Sequence, residues 1–325
     1  MEIPKSSDPD IKLSDLAKSI DRIQLETSPG SFISSVMDVK QNNGKLYVRD
    51  VSGKVLIFDN RGKSLGKLGS LGDGPGEYSR AYSLTIDEKS GKVYLGSVYK
   101  LLVYSSDHEF LSERKFTFFV TYLSVLNGEP VIITDRRSIP VENGYATQNL
   151  VFQLDKSLDI RDSVLFRNVI LNDKSGMAFT SKYFISNNNE GSFLYTPVLT
   201  PENFLRDTLY KFTDTNLTPA VKLKIEQPHL DENGEKIVKI YNIMNGSSYL
   251  ICQYARGQNK MLFIYDKKSN IGHNLKGGVI DDDGEPVVLY PLDLEQDIFY
   301  FIKTAEYVDG DTEELNPTIG IVELK

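Results

Sequence analysis

Two kinds of residue in this chain have types and spacings that could support chemistry: a glycine run, and a scatter of arginines and tyrosines in polar loops. The glycine run is "GSLGDGPGEYSRAYSLTID", residues 69–87. A Walker-type phosphate loop needs GxxxxGK[ST], and a dinucleotide fingerprint needs GxGxxG opening a helix. Here Gly72, Gly74 and Gly76 are spaced GxGxG, no lysine follows, and the next segment, "AYSLTID", alternates like a strand. No helix N-terminus is offered to an anion. Gly74-Pro75-Gly76 reads instead as turn chemistry, with proline fixing φ and glycine permitting the left-handed region beside it.

Other catalytic constellations are sparse. The histidines are His108, His229 and His273, each in a separate polar segment, so a nucleophile–His–carboxylate triad finds little support. The acidic run "IDDDGEP" (280–286) lacks the alternating D-x-D-x-D-G ligand order of a calcium loop. A single cysteine, Cys252, excludes an internal disulfide framework and a cysteine-rich metal site. No cofactor or metal is expected. With 45 Asp and Glu against 37 Lys and Arg, the net charge of −8 argues against a nucleic-acid partner.

The elements that must position these residues are strands. Helical spacing of apolar residues occurs in "DIKLSDLAKSI" (10–20), through Ile11, Leu13, Leu16 and Ile20, and predicts a short helix there. Elsewhere the chain consists of short runs rich in Val, Ile, Tyr and Phe, bounded by Gly, Asn, Asp and Ser. These runs repeat. "KLYVRDVSGKVLIFDNRGK" (45–63) is echoed by "KVYLGSVYKLLVYSSDHEF" (92–110), and looser copies of the strand pair begin near 131, 192, 249 and 299. Such spacing suits one four-stranded propeller blade plus loop insertions. The fold class expected is all-β, a six-bladed β-propeller in which the pairs are the second and third strands (b and c) of each blade. The last copy ends after its third strand. "IDRIQLET" (20–27) is expected to supply the fourth, closing the ring and burying two sheet edges. The domain reading is therefore a polar leader or tether over 1–19 with a possible short helix, and one domain over 20–325.

"GDGPGEY" followed by a strand ending "TID", together with "LSDLAKSIDRIQLET" and "RDTLYKFTDTNLTPAVKLKI", resembles six-bladed β-propeller proteins of gut anaerobes related to NHL-repeat propellers. The resemblance covers essentially the whole chain. It implies an exported protein of the periplasm or cell surface, lipid-anchored in full length through a signal absent here, and it transfers no catalytic residue. "MEIPKSSDPD" has neither a basic n-region nor an apolar h-region, so the sequence itself contains no signal peptide.

On this layout the b–c loops and the crossovers between blades share one face, where function on a common scaffold would sit. The candidate ligand-binding residues are Arg49, then Glu77 and Arg80 of the crossover, and Tyr99. The insertion "DRRSIPVENGYATQ" adds Arg136 and Arg137. Arg206, Asp207, Tyr254, Arg256, Lys303 and Tyr307 complete the set. Arginine offers a planar fork to carboxylates and tyrosine a flat face with a polar tip. Tyr78 and Tyr82 read as packing, and Glu77 as also tying down its turn. The function expected is non-catalytic binding of a small molecule, glycan or envelope protein by a monomer. A glycan-active hydrolase or lyase and a structural interaction scaffold are the alternatives.

Overall fold

The computed structural model describes residues 1–174, 182–200, 202–213, 216–304 and 315–325. It is an all-β chain. Among the described residues, six sheets have four strands each. The first runs Val36–Asn42, Lys45–Asp50, Val55–Asp59, Ser64–Lys67, and the second Ser83–Ile86, Val93–Ser97, Lys100–Tyr104, Phe110–Lys115. The third is Tyr122–Leu126, Glu129–Val141, Gly144–Leu154, Ile160–Leu171, and the fourth Ile185–Asn188, Gly191–Leu194, Thr208–Thr213, Asn216–Lys222. The fifth is Val238–Asn245, Tyr249–Arg256, Asn259–Asp266, Ile271–Lys276. In the first five sheets, neighbouring strands are consecutive in the chain and antiparallel.

The sixth sheet departs from that order. Tyr290–Asp293, Ile298–Lys303 and Thr318–Leu324 are joined at the edge by Ala17–Gln24 from the other end of the sequence. Hydrogen bonds Leu25 N–H to the Pro317 carbonyl (3.4 Å) and Lys325 N–H to the Leu16 carbonyl (3.1 Å) bracket an antiparallel pair.

Packing divides the chain into two compact units: Met1–Arg22 with Lys182–Lys303 and Ile319–Lys325, and Ile23–Ser181 with Thr304–Thr318. Within the second of these, the period-2 alternation of strands explains the layering. In the second sheet Val93, Leu95, Leu102 and Tyr104 join Tyr47, Val55 and Ile57 of the first sheet in one core. The intervening Tyr94, Leu101 and Val103 join Leu123, Ile132 and Leu154 of the third. A sheet apolar on both faces must be covered on both, so its strands read as continuous hydrophobic runs rather than half-polar ones. The other unit is built the same way, with the fifth sheet packed between the fourth and the sixth.

A recurring turn closes the third strand of the first three repeats. The side-chain oxygen of Asp59 accepts from Arg61 and Lys63 N–H (2.8 and 2.9 Å), and Asp155 accepts from Ser157 and Asp159 N–H (2.8 and 3.0 Å). Ser105 does the same for Asp107 and Glu109. Such a side chain replaces the missing backbone partner and fixes the reversal.

Three expectations are corrected. The helix over 10–20 is a single turn, Leu13–Leu16, with no side-chain cap at Lys12. Its apolar residues serve other contacts: Leu13 is fully buried, and the chain from Ala17 gains a ladder partner that a helix would forgo. The edge strand accordingly spans Ala17–Gln24 rather than 20–27. The first residues of the chain also make contacts of their own. Glu2–Ile3 pairs in parallel with Lys224–Ile225, Ile3 is fully buried, and the buried Asn274 amide donates to the Pro4 and Ser6 carbonyls (3.0 and 3.1 Å). The insertion "DRRSIPVENGYATQ" is also not a loop. It continues the two middle strands of the third sheet, with a bulge between Arg136 and Ile139 and Ser138 at φ 53°.

Candidate functional site

The glycine run folds onto the second sheet. Ser70–Leu71 and Glu77–Tyr78 form a short parallel pair, and the loop between them turns back on itself. Two of its N–H groups face carboxylates: Gly74 donates to Glu77 (2.9 Å) and Gly76 to Glu113 (2.9 Å). Its carbonyls face an ammonium, with Lys100 Nζ donating to Gly74 (3.2 Å) and Glu77 (3.0 Å) while lying 3.3 Å from the Glu113 carboxylate. Gly76 has φ 72°, and a Cβ there would lie 2.9 Å from the Phe110 ring, so both backbone and space require glycine. The loop's capacity to hold anions is thus taken by the chain's own side chains. Partial burial would raise the Glu113 carboxyl, but the Gly76 N–H and the Lys100 and Lys115 ammoniums outweigh it and hold it below the usual range.

Beside this loop lies a cleft of about 580 Å³. Its walls come from the loop (Gly72, Asp73, Tyr78, Ser79), the hairpin turn Ser97–Lys100, and the strand end Lys115 with Phe116 and Thr117. Tyr99 presents a ring that is 54% exposed, and its edge meets Phe119 with centroids 6.2 Å apart. Val98, before it, has φ 44°. A β-branched residue there is a genuine outlier and survives only where its surroundings over-determine it. They do: the Val98 carbonyl accepts from Val120 N–H (2.6 Å) and the Tyr99 carbonyl from Phe116 N–H (2.7 Å). The strained turn aims Tyr99 at the cleft.

The other sequence-selected residues have separate surroundings. In the same unit, Arg49 is buried and donates to the Met37 carbonyl at 3.4 Å. Arg80 donates to the Val51 carbonyl and lies 5.9 Å from the Tyr82 ring centroid. Arg137 pairs with Asp135 (3.0 Å), and Arg136 is exposed on the extended third sheet. Tyr78 is buried in the core, its hydroxyl donates to the Leu68 carbonyl (2.8 Å), and burial pushes its pKa up to about 12.

In the other unit, Arg206 is buried and held by Thr196 (2.7 Å to its hydroxyl), while Asp207 accepts from Thr208 (2.8 Å). Tyr254 is a core residue bonded to Asn274 (2.8 Å), with burial raising its pKa to about 12. Arg256 donates to the Lys5 carbonyl, and Lys303 pairs with Asp281 (2.6 Å) and Asp283. Tyr307 lies outside the described residues. Sequence reading missed Val98, Lys100, Lys115 and Phe116; only the aromatic run "FTFF" (116–119) could have drawn attention to the cleft.

His108 shares a 2.8 Å hydrogen bond with the Tyr47 hydroxyl, and His229 has a buried Nε2 without a hydrogen-bond partner among the described residues. Burial first, and Lys45 second, hold the His108 pKa below its ordinary value. Among the described residues no group of three or more His, Cys, Asp or Glu is placed to hold a metal ion, and no helix is long and apolar enough to cross a membrane.

Fold and cleft together define an all-β protein of repeated four-stranded antiparallel sheets with a tyrosine- and lysine-lined recess in the second repeat. The chain belongs to the DUF4934 family, described as a domain of unknown function and matched over residues 2–322. No curated protein matches it. Among solved structures it is similar to a candidate exported protein from Bacteroides fragilis NCTC 9343, with 19% identity, TM-score 0.75 and 100% of both chains covered. It is also similar to a DUF4221-family member from Bacteroides vulgatus atcc 8482, with 10% identity, TM-score 0.52, and 95% and 97% of the two chains covered. The β-propeller domain of Cps50 (Swd1) from Myceliophteria thermophila matches with 12% identity, TM-score 0.46, and 92% and 99% covered.

Proposed function

We propose that the six four-stranded sheets are the blades of one six-bladed β-propeller over residues 20–325, closed where Ala17–Gln24 joins Thr318–Leu324. On this reading the protein is an exported, envelope-held binding module that acts without catalysis. The sheet order and the full-length likeness to the Bacteroides fragilis protein support the ring and the address. A lipid anchor upstream, and monomeric action, belong to the same proposal.

The cleft of the second sheet is its ligand site. The observation that carries this is Tyr99, an exposed ring held out over an open recess by a backbone strained at Val98. Strain of this kind, of order 1–3 kcal/mol, clusters at active sites and ligand clamps.

A thermal-shift screen against glycans and small acids tests the reading. A ligand at 100 times its dissociation constant stabilises by about 2.7 kcal/mol, and Tyr99→Ala removes that shift while leaving the unliganded melting temperature unchanged. Silence across a chemically diverse library, or a shift indifferent to Tyr99, refutes the cleft as the site. The internal pairing of Arg206, Arg256 and Lys303 favours a second reading, an interaction scaffold, which the same silence would promote.

A further inference from the structure

We infer that the ligand of this cleft is an anion built on a ring: a compound with a flat apolar face that stacks on Tyr99 and a carboxylate that meets Lys115. The inference rests on the cleft being the binding site and adds the class of molecule it takes.

The charge comes from the strand register. Lys100 and Lys115 are directly opposite each other on neighbouring strands, so their side chains share a face. Like charges placed so are destabilising, and this chain carries a net charge of −8. Glu113, two residues before Lys115 on the same strand, feels both ammoniums but forms its ion pair with Lys100. It lies 3.3 Å from Lys100, whose side chain is 13% exposed and whose ammonium also serves two loop carbonyls. Lys115 is exposed, lines the cleft, and its ammonium makes no ion pair or hydrogen bond among the described residues. Lys115 is therefore the cation of the recess that no carboxylate holds in an ion pair among the described residues.

The shape comes from the rings. Tyr99 and Phe116 supply apolar wall, and the hydroxyl-bearing residues Ser79, Ser97 and Thr117 also line the cleft. An apolar surface interrupted by hydroxyls and one cation matches a ring with polar edges and a single carboxylate. Asp73 on the loop is the one acidic side chain of the lining. It suits a ligand that also brings hydroxyl donors, which favours a carboxylated sugar over an aromatic acid.

Calorimetric titration of the full chain separates the possibilities. The probes are a glucuronate tetrasaccharide, its neutral glucose counterpart, and benzoate. The expected result is saturable binding of the glucuronate oligomer, weakened by Tyr99→Ala. Lys115→Gln weakens it about tenfold or more, the scale of one hydrogen bond to a charged group. Lys89→Gln, at the opposite end of the same sheet, changes nothing, and raised salt mimics Lys115→Gln. Benzoate binding with the same sensitivities, without the sugar, supports the shared chemistry and assigns an aromatic source. A neutral oligomer that binds as tightly, or a glucuronate affinity indifferent to Lys115, overturns the anion while leaving the cleft as the site. No saturable binding by any probe, or binding indifferent to Tyr99, overturns both.

Discussion

Asn316→Ala should cost far more than its position in a polar stretch suggests. Asn316 is fully buried and ties the last segment of the chain to residues 26–33. Its Oδ1 accepts from Ile33 N–H (2.8 Å), and its amide donates to the Glu26 and Ser31 carbonyls (2.7 and 2.8 Å). The Glu26 carbonyl keeps a second donor in the Ser31 hydroxyl, so truncation orphans two groups, the Ile33 N–H and the Ser31 carbonyl. Each buried group left unpaired costs about 1–3 kcal/mol, giving a loss of about 2–6 kcal/mol against a total of about 5–15 kcal/mol for a typical domain. Urea denaturation followed by circular dichroism reads this as a fall in midpoint at constant slope. Asn316→Asp sharpens the test. It is isosteric and still accepts from Ile33, but at neutral pH it turns a carboxylate toward two carbonyls, so it should be at least as damaging at pH 7. Its deficit should shrink in acid, when the protonated carboxyl can donate. A loss under about 1 kcal/mol for Asn316→Ala would refute the claim that this side chain clasps the two ends of the chain.

Three further outcomes follow from single contacts. Gly62→Ala places a Cβ onto the Gln24 backbone carbonyl at φ 82°, where no side chain can yield, so it should cost more than about 3 kcal/mol and lower soluble expression. Glu113 is held below its ordinary 4.5 in the fold, so its stabilisation is fully present above that value and is lost as pH falls through the folded pKa. The gap in urea midpoint between the native chain and Glu113→Gln should therefore be constant near pH 7 and close below about pH 4.5; a gap independent of pH would contradict it. Tyr254→Phe removes one buried hydrogen bond to Asn274 and should cost about 1 kcal/mol without changing any ligand-induced thermal shift. A changed shift would return Tyr254 to the binding surface.

The strands and turns were legible because they obey local rules. Alternation places Val93 and Leu95 on one face and Tyr94 on the other whatever the rest of the chain does, and an aspartate such as Asp59 or Asp155 makes its turn with neighbours two and four residues away. Residues 10–20 misled for the opposite reason. Ile11, Leu13, Leu16 and Ile20 have helical spacing, but the partner that draws the chain into a strand from Ala17 is Thr318–Leu324, at the other end of the sequence. Arg206, Tyr254, Arg256 and Lys303 have internal partners that their local sequence does not reveal. A polar residue at a strand end looks the same in sequence whether it faces solvent or serves a carbonyl such as that of Thr196 or Lys5.

The glycine run joins these two lessons. Its spacing reads as a turn rather than a phosphate loop, and in the fold the Gly74 and Gly76 N–H groups each donate to a carboxylate. What composition cannot say is whose carboxylate. Glu77 lies within the loop, so its role could be read locally. Glu113 and Lys100 arrive from neighbouring strands whose register alone brings them there. That register also sets Lys115 opposite Lys100 and leaves its ammonium without an ion pair among the described residues, beside a tyrosine aimed by a strained turn. The feature that resembled a phosphate cradle is therefore closed to external anions by internal ones, and the charge balance that closes it is what leaves a cation at the cleft next door.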